Sequence, residues 1–186
     1  MIILASKSPR RREILGKFFK DFKIIPSKVS EESDALSPRE HAIEVARKKA
    51  WDVYSREKGT VIGADTIVVL GDEVLGKPKN EEEAKIMLKE LSGKTHVVIT
   101  GYCIIHEGDE ISNAVITEVK FRELSEEEIN AYVKTGEPLD KAGAYGIQGK
   151  GGLLIEWIKG DYYNVMGLPM QVILELQKLG FNPWKK

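Results

Sequence analysis

The chain has 186 residues, and 28 Lys and Arg against 29 Asp and Glu leave a formal net charge of −1 at pH 7. With 42% apolar and 31% charged residues, it reads as one globular domain over residues 1–186, with no overall basic field for nucleic acid, so any anion site must be local. No apolar run approaches the roughly 18 residues of a membrane helix, no leader pattern precedes the first strand signal, and one cysteine, Cys103, allows no internal disulfide; the expectation is a cytoplasmic protein with no membrane partner.

Ile2-Ile3-Leu4 is short enough to be a buried strand. A hydroxyl-rich turn, Ala5-Ser6-Lys7-Ser8, follows, with Ser8 at an N-cap and Pro9 at the first helical position. Ile14, Leu15, Phe18 and Phe19 then give the helix one apolar face. Its positive dipole end points back at the turn, beside Arg10, Arg11 and Arg12, which is an arrangement suited to phosphate. A solvated basic face is the competing reading, although cations there oppose the dipole. No Walker loop precedes the helix.

Phe22-Lys23-Ile24-Ile25-Pro26 reads as a second strand, and the polar segment from Ser27 to Ser37 carries Glu31, Glu32 and Asp34. Ser37-Pro38-Arg39-Glu40 is a capping box that opens a helix reaching about Tyr54, with Ile43, Ala46, Ala50 and Tyr54 at helical spacing and Lys48 and Lys49 among them. Thr60-Val61-Ile62-Gly63-Ala64 is an apolar strand that ends abruptly at Asp65, after which Thr66 to Leu70 resumes a strand pattern. Gly71-Asp72 is a hairpin turn, Val74-Leu75 returns, and Gly76-Lys77-Pro78 precedes a helix capped by Asn80 and closed at Ser92-Gly93.

Two long strands follow, Thr95 to His106 and Glu110 to Phe121, which predict an antiparallel pair. Ser125 caps a fourth helix closed by Gly136. Five glycines then fall within the thirteen residues from Asp140 to Gly152, a spacing too irregular for helix or strand and permissive of close backbone approach to a ligand. Leu153 to Ile158 reads as strand, turning at Lys159-Gly160-Asp161 into a further strand over Tyr162 to Val165, and a last helix runs from Pro169 to Leu179. The predicted fold is α/β, a mixed sheet flanked by helices.

Asp65 is the most informative residue outside the opening turn. A carboxylate directly after an apolar strand sits where ligand crevices form in open α/β sheets, and parallel pairing with the first strand would bring it to the edge that carries the anion site. A turn aspartate is the alternative. An acid beside a phosphate cradle suits a hard cation such as Mg²⁺, and Glu31 or Glu32 offers a second carboxylate, unless both are solvated loop acids. Lys77 lies on a constrained turn, whereas Lys49 reads locally as a solvated helix lysine. His41, His96 and His106 have no metal-ligand spacing, and nothing resembles a Ser-His-Asp set. These residues point to a metal-assisted reaction on a phosphorylated small molecule and do not name it.

Together, Leu4 to Arg11, Lys49-Ala50, Gly63-Ala64-Asp65-Thr66, Gly76-Lys77-Pro78, Asp140 to Gly149 and Gly160 to Pro169 resemble, in order, the Maf family of nucleoside triphosphate pyrophosphatases. The resemblance implies an inosine triphosphate pyrophosphatase-like fold with two lobes around a cleft. It also implies hydrolysis of a nucleoside triphosphate to the monophosphate and pyrophosphate, with a divalent cation, Mg²⁺ or Mn²⁺. By position Asp65 looks like the catalytic acid and a metal ligand, and Glu31 like a second metal acid, with Glu32 one residue away. Ser8, Lys49 and Lys77 fall at substrate-binding positions, while Arg10, Thr66 and Gln148 match the marks of the branch acting on dTTP and UTP. The family allows a homodimer, and it also leaves open a nucleotide-binding regulator of cell division without turnover.

Overall fold

The computed structural model describes residues 1–185. In chain order the elements are β1 (Ile2–Leu4), α1 (Pro9–Phe18), β2 (Phe22–Ile24), α2 (Pro38–Arg56), β3 (Thr60–Leu70), β4 (Glu73–Leu75), α3 (Glu81–Leu91), β5 (Thr95–His106), β6 (Asp109–Phe121), α4 (Glu126–Lys134), β7 (Ile155–Lys159), α5 (Tyr162–Met166) and α6 (Met170–Lys178). The strands form one seven-stranded sheet in the order β2-β1-β3-β5-β6-β7, with β4 paired to β3 off this path. β1 runs parallel to both β2 and β3, whereas β3–β4 and β6–β7 are antiparallel, so the sheet is mixed as the sequence predicts.

The chain divides into two compact units whose boundaries fall inside β3, β5, β6 and α5. The first comprises Met1–Thr66, Thr100–Val115 and Tyr163–Lys186. Its core gathers Ile3 and Ala5 with Ala46, Ala50 and Val53 of α2, Val61 of β3, and Cys103 and Ile105 of β5, all fully or almost fully buried. Each buried Ile or Val side chain there contributes roughly 1.5–3 kcal/mol. Glycine makes the layer thin: a Cβ at Gly63 would strike the Ala46 carbonyl, and one at Gly101 would strike the Ala42 backbone. Helix α2 therefore lies directly on β3 and β5, and only glycine permits that approach.

The second unit comprises Ile67–Ile99 and Ile116–Tyr162. Within it α3 and α4 pack together, and His96, Phe121 and Tyr145 stack edge to face. The glycine-rich stretch is neither α-helix nor strand. It winds through three 3-10 turns, Glu137–Asp140, Ala142–Ala144 and Lys150–Leu154.

Two expectations are corrected. Tyr162 to Val165 is helical, not extended. Thr117 Oγ1 accepts from the Asp161 amide at 3.1 Å and donates to its carbonyl at 3.2 Å, ending the strand there. The carbonyls of Tyr163 and Asn164 then accept the Gly167 amide, which closes a helical turn. A run of only four residues has no period by which to tell the two apart. Asp65, expected at a strand end, lies inside an unbroken eleven-residue strand, because β3 continues to Leu70 and pairs there with β4. The parallel strand β1 stops at Leu4, opposite Ile62, so Asp65 still lies three residues beyond the end of its neighbour.

Candidate active site

The opening turn folds as its sequence suggests. Ser8 Oγ caps α1 by accepting from the Arg11 amide at 3.4 Å, and Pro9 is the first helical residue. The Ser8 amide in turn donates to Ser6 Oγ at 3.1 Å, which tightens the loop after β1. The three arginines diverge. Arg12 is exposed, Arg10 is half-buried, and Arg11 is buried.

Arg11 resolves the conflict between a cation and the helix dipole by turning inward. Its Nε donates to the Gly167 carbonyl at 2.7 Å, Nη1 to Ser6 Oγ at 3.3 Å, and Nη2 to Thr66 Oγ1 at 3.0 Å. One guanidinium thus ties the first loop to β3 and to the loop after α5. A hydrogen-bond chain continues from it. Thr66 Oγ1 lies 2.9 Å from Thr100 Oγ1, and Thr100 donates its single hydroxyl proton to the Asn164 carbonyl at 3.0 Å. Thr66 must then be the donor to Thr100, having accepted from Arg11, and what its hydroxyl has left to offer is a lone pair.

The acid of the site lies one residue before Thr66. Asp65 is 7% exposed, and burial raises its pKa above the ordinary carboxylate value, against the opposing pull of Lys49 and Arg11. Because Gly63 lets α2 settle on β3, Lys49 reaches inward from the helix. Its Nζ lies 3.2 Å from the Ala64 carbonyl, 3.5 Å from Asp65 Oδ1 and 3.0 Å from Glu31 Oε1. At 8% exposure Lys49 is buried, so the local reading of a solvated lysine is corrected. Tertiary packing, not helix periodicity, decides its direction.

The two loop glutamates separate here. The Glu31 carboxylate joins Lys49, whereas Glu32 offers its backbone carbonyl to Lys48 Nζ at 2.6 Å. Among the described residues no group of three or more His, Cys, Asp or Glu side chains gathers as a ready metal site. What gathers is two carboxylates around one ammonium. Such a pair suits a hard cation that takes one or two carboxylates and completes its shell with substrate phosphates and water.

Ser8, Arg10, Glu31, Lys49, Asp65 and Thr66 all belong to the first unit, and Lys77 and Gln148 to the second. Lys77 is exposed on the bend after β4, which is fixed by a hydrogen bond of 3.1 Å from the Gly143 amide to the Gly76 carbonyl. Gln148 is exposed in a turn of the glycine-rich stretch. Sequence reading missed Ser6, Thr100 and the Gly167 carbonyl as partners of this site. The one signal for them was Arg11 itself, a cation where the helix dipole disfavours one.

Comparison with known proteins shows the family of the chain. The family described as Maf-like protein matches residues 1–179. The dTTP/UTP pyrophosphatase of Thermococcus onnurineus is 66% identical over 181 residues, covering 97% of this chain and 98% of its own. The dTTP/UTP pyrophosphatase of Pyrococcus abyssi is 61% identical over the full length of both chains. Among solved structures, a HAM1 protein from Coxiella burnetii superposes with a TM-score of 0.52 over 95% of this chain and 98% of its own. At 15% identity that likeness carries the fold alone. With a family match across nearly all its length and curated relatives above 60% identity, the chain belongs to the Maf family.

Proposed function

We propose that the protein hydrolyses dTTP and UTP to the nucleoside monophosphate and pyrophosphate, by attack of water on the α-phosphorus. The observation that carries this reading is the buried Asp65–Lys49 pair, joined by the exposed Glu31 carboxylate, beside the Arg11-braced turn. Relatives that share 61–66% of the sequence are named for that activity.

Asp65 is the acceptor for the proton of the attacking water. Burial lifts its pKa toward the operating range, as a general base requires, while Lys49 keeps the carboxylate from being neutralised outright. Lys49, Arg10 and Lys77 supply cationic contacts to phosphate oxygens without proton transfer. The hydroxyl and amides of the Ser6–Ser8 turn lie at the positive end of α1, which favours an anion there. Asp65 and Glu31 together would hold a divalent cation, Mg²⁺ or Mn²⁺, which offsets charge on the phosphate oxygens and on the leaving pyrophosphate.

Choice of base falls to Gln148 and Thr66. Gln148 presents both a donor and an acceptor, as the edge of thymine or uracil requires. Thr66, its proton committed to Thr100, can only accept, which suits a substrate N–H or hydroxyl. The test is a panel of nucleoside triphosphates with Mg²⁺ or Mn²⁺, read for pyrophosphate against orthophosphate. Pyrophosphate from dTTP and UTP, well above that from GTP, is expected. Orthophosphate alone would indicate a phosphatase, and neither product would leave a nucleotide-binding regulator.

A further inference from the structure

The glycines between Tyr145 and Gly152 do not clear space for a ligand; most of them clear space for the chain's own side chains. A Cβ at Gly149 would stand 2.5 Å from Glu137 Oε2, one at Gly146 would stand 2.7 Å from Lys141 Cε, and one at Gly151 would stand 2.6 Å from the Tyr132 hydroxyl. Backbone is therefore laid directly against a Tyr–Glu pair, closer than any residue with a side chain allows.

That pair has a specific geometry. Glu137 Oε1 accepts from the Tyr132 hydroxyl at 2.7 Å and from the Gly151 amide at 3.0 Å, and Oε2 accepts from the Lys150 amide at 3.1 Å. The Tyr132 hydroxyl, having donated to Glu137, accepts from the Gly146 amide at 3.0 Å. Gly146 enters the loop and Gly151 leaves it, so the two ends are fastened to one phenol–carboxylate unit. Tyr132 is itself anchored on α4 and 6% exposed. The donors to the carboxylate hold Glu137 below its ordinary pKa despite partial burial, so it is ionised at neutral pH and its hydrogen bonds are charge-assisted. Between the two fastened ends lie Ile147, Gln148 and Gly149, with Gln148 exposed.

We propose that Tyr132 and Glu137 are positioning residues for base selection, a clasp that holds the turn carrying Gln148 in the one conformation that presents its amide to the substrate. The inference rests on the reading of Gln148 as the residue that recognises the pyrimidine. Neither clasp residue touches substrate. Their effect is to remove the entropic cost of ordering a glycine-rich turn at the moment of binding.

The variants Tyr132→Phe and Glu137→Gln keep the volume and break the clasp. Phe leaves the Gly146 amide without its acceptor, and Gln turns an N–H toward donors that need an oxygen. With Mg²⁺ and dTTP, UTP or GTP as substrates, each variant is expected to raise KM for dTTP and UTP about tenfold, as the loss of one buried hydrogen bond implies, with kcat changed by less than about threefold. The preference for dTTP over GTP falls in step. Gln148→Ala alone loses the same preference, and adding Tyr132→Phe to it costs no further selectivity. A merely structural role would lower the active fraction equally for every substrate. If Gln148→Ala loses the preference but the clasp variants keep it, the clasp is wrong and the reading of Gln148 stands. If Gln148→Ala keeps it, both fall. Amide hydrogen exchange on the unaltered protein gives a check that no folding defect can confuse. Gly146, Lys150 and Gly151, whose amides the pair accepts, should exchange slowly, and fast exchange at all three would overturn the clasp.

Discussion

Lys49 Nζ lies 3.5 Å from Asp65 Oδ1, with both side chains at least nine-tenths buried. A buried ion pair of this kind is seldom a source of net stability, since desolvating the two charges offsets much of their attraction. In the function proposed above, its value lies in chemistry. The ammonium keeps a buried carboxylate ionisable, and the carboxylate keeps a buried lysine fixed in direction.

Replacing Asp65 by Asn should therefore separate fold from function. The amide fits the same space in β3, so cooperative unfolding and the circular dichroism spectrum are expected to persist. Turnover of dTTP should fall by about 10²–10⁴-fold, the range for loss of a positioned base. Near-normal hydrolysis by this variant would remove Asp65 from the mechanism.

The acid limb of the pH–rate profile should report the same group. With Asp65 raised by burial, the reactive carboxylate is lost as pH falls through a value above the ordinary 3.8, so kcat/KM declines on the acid side. Lys49 pulls that value down. In Lys49→Met the limb should move to higher pH, in addition to a lower plateau. An unmoved limb would show that the ion pair does not govern the titration.

Glu31 and Glu32 are neighbours in sequence with different surroundings, and only Glu31 turns its carboxylate to Lys49. Glu31→Gln should raise the Mg²⁺ concentration for half-maximal activity by about tenfold, corresponding to roughly 1.4 kcal/mol, while Glu32→Gln leaves it unchanged. Calorimetric titration of each variant with Mn²⁺ gives a second readout, and equal effects of both substitutions would contradict the assignment.

Thr100 touches the site through Thr66. Its replacement by Val removes the acceptor that commits the Thr66 hydroxyl proton, leaving that hydroxyl free to rotate and donate. We expect discrimination between dTTP and GTP to fall about three- to tenfold, on the scale of one neutral hydrogen bond, with kcat for dTTP nearly intact. Unchanged discrimination would indicate that the direction of this hydroxyl is irrelevant to base choice.

His96 offers a stability test away from the site. It is 2% exposed, donates to or accepts from the Tyr145 hydroxyl through Nε2 at 2.7 Å, and burial lowers its pKa from 6.5 to about 4. The unfolded chain takes up a proton below pH 6.5 that the folded chain refuses until pH 4, so stability is full above 6.5 and drains away as pH falls through that window. The total is roughly 3 kcal/mol. Denaturant unfolding at pH 7.5 and 4.5 should show this loss, and His96→Gln should flatten it. A variant that keeps the full slope would place the titration elsewhere.

Local chemistry was legible wherever one residue type in one position dictates the answer. Ser8, Ser37, Asn80 and Ser125 all cap the helices that their sequences announce, each accepting from the amide three residues on. The long strands β5 and β6 followed from apolar run length, whereas the parallel pairing of β1 with β3 was a condition that the structure supplied. Short aperiodic runs were not legible, and α5 is the case in point. Direction was not legible either. Lys49 and Lys48 are adjacent on one helix, yet one is buried against Asp65 and the other reaches a loop carbonyl. Arg11 and Arg12 differ in the same way. Sequence by itself determined which groups are present and which elements carry them, because capping and periodicity act over three or four residues. Only the tertiary structure decided which of those groups meet, because the approach of α2 to β3 at Gly63, and of the glycine-rich turn to Glu137, is set by contacts between residues far apart in the chain.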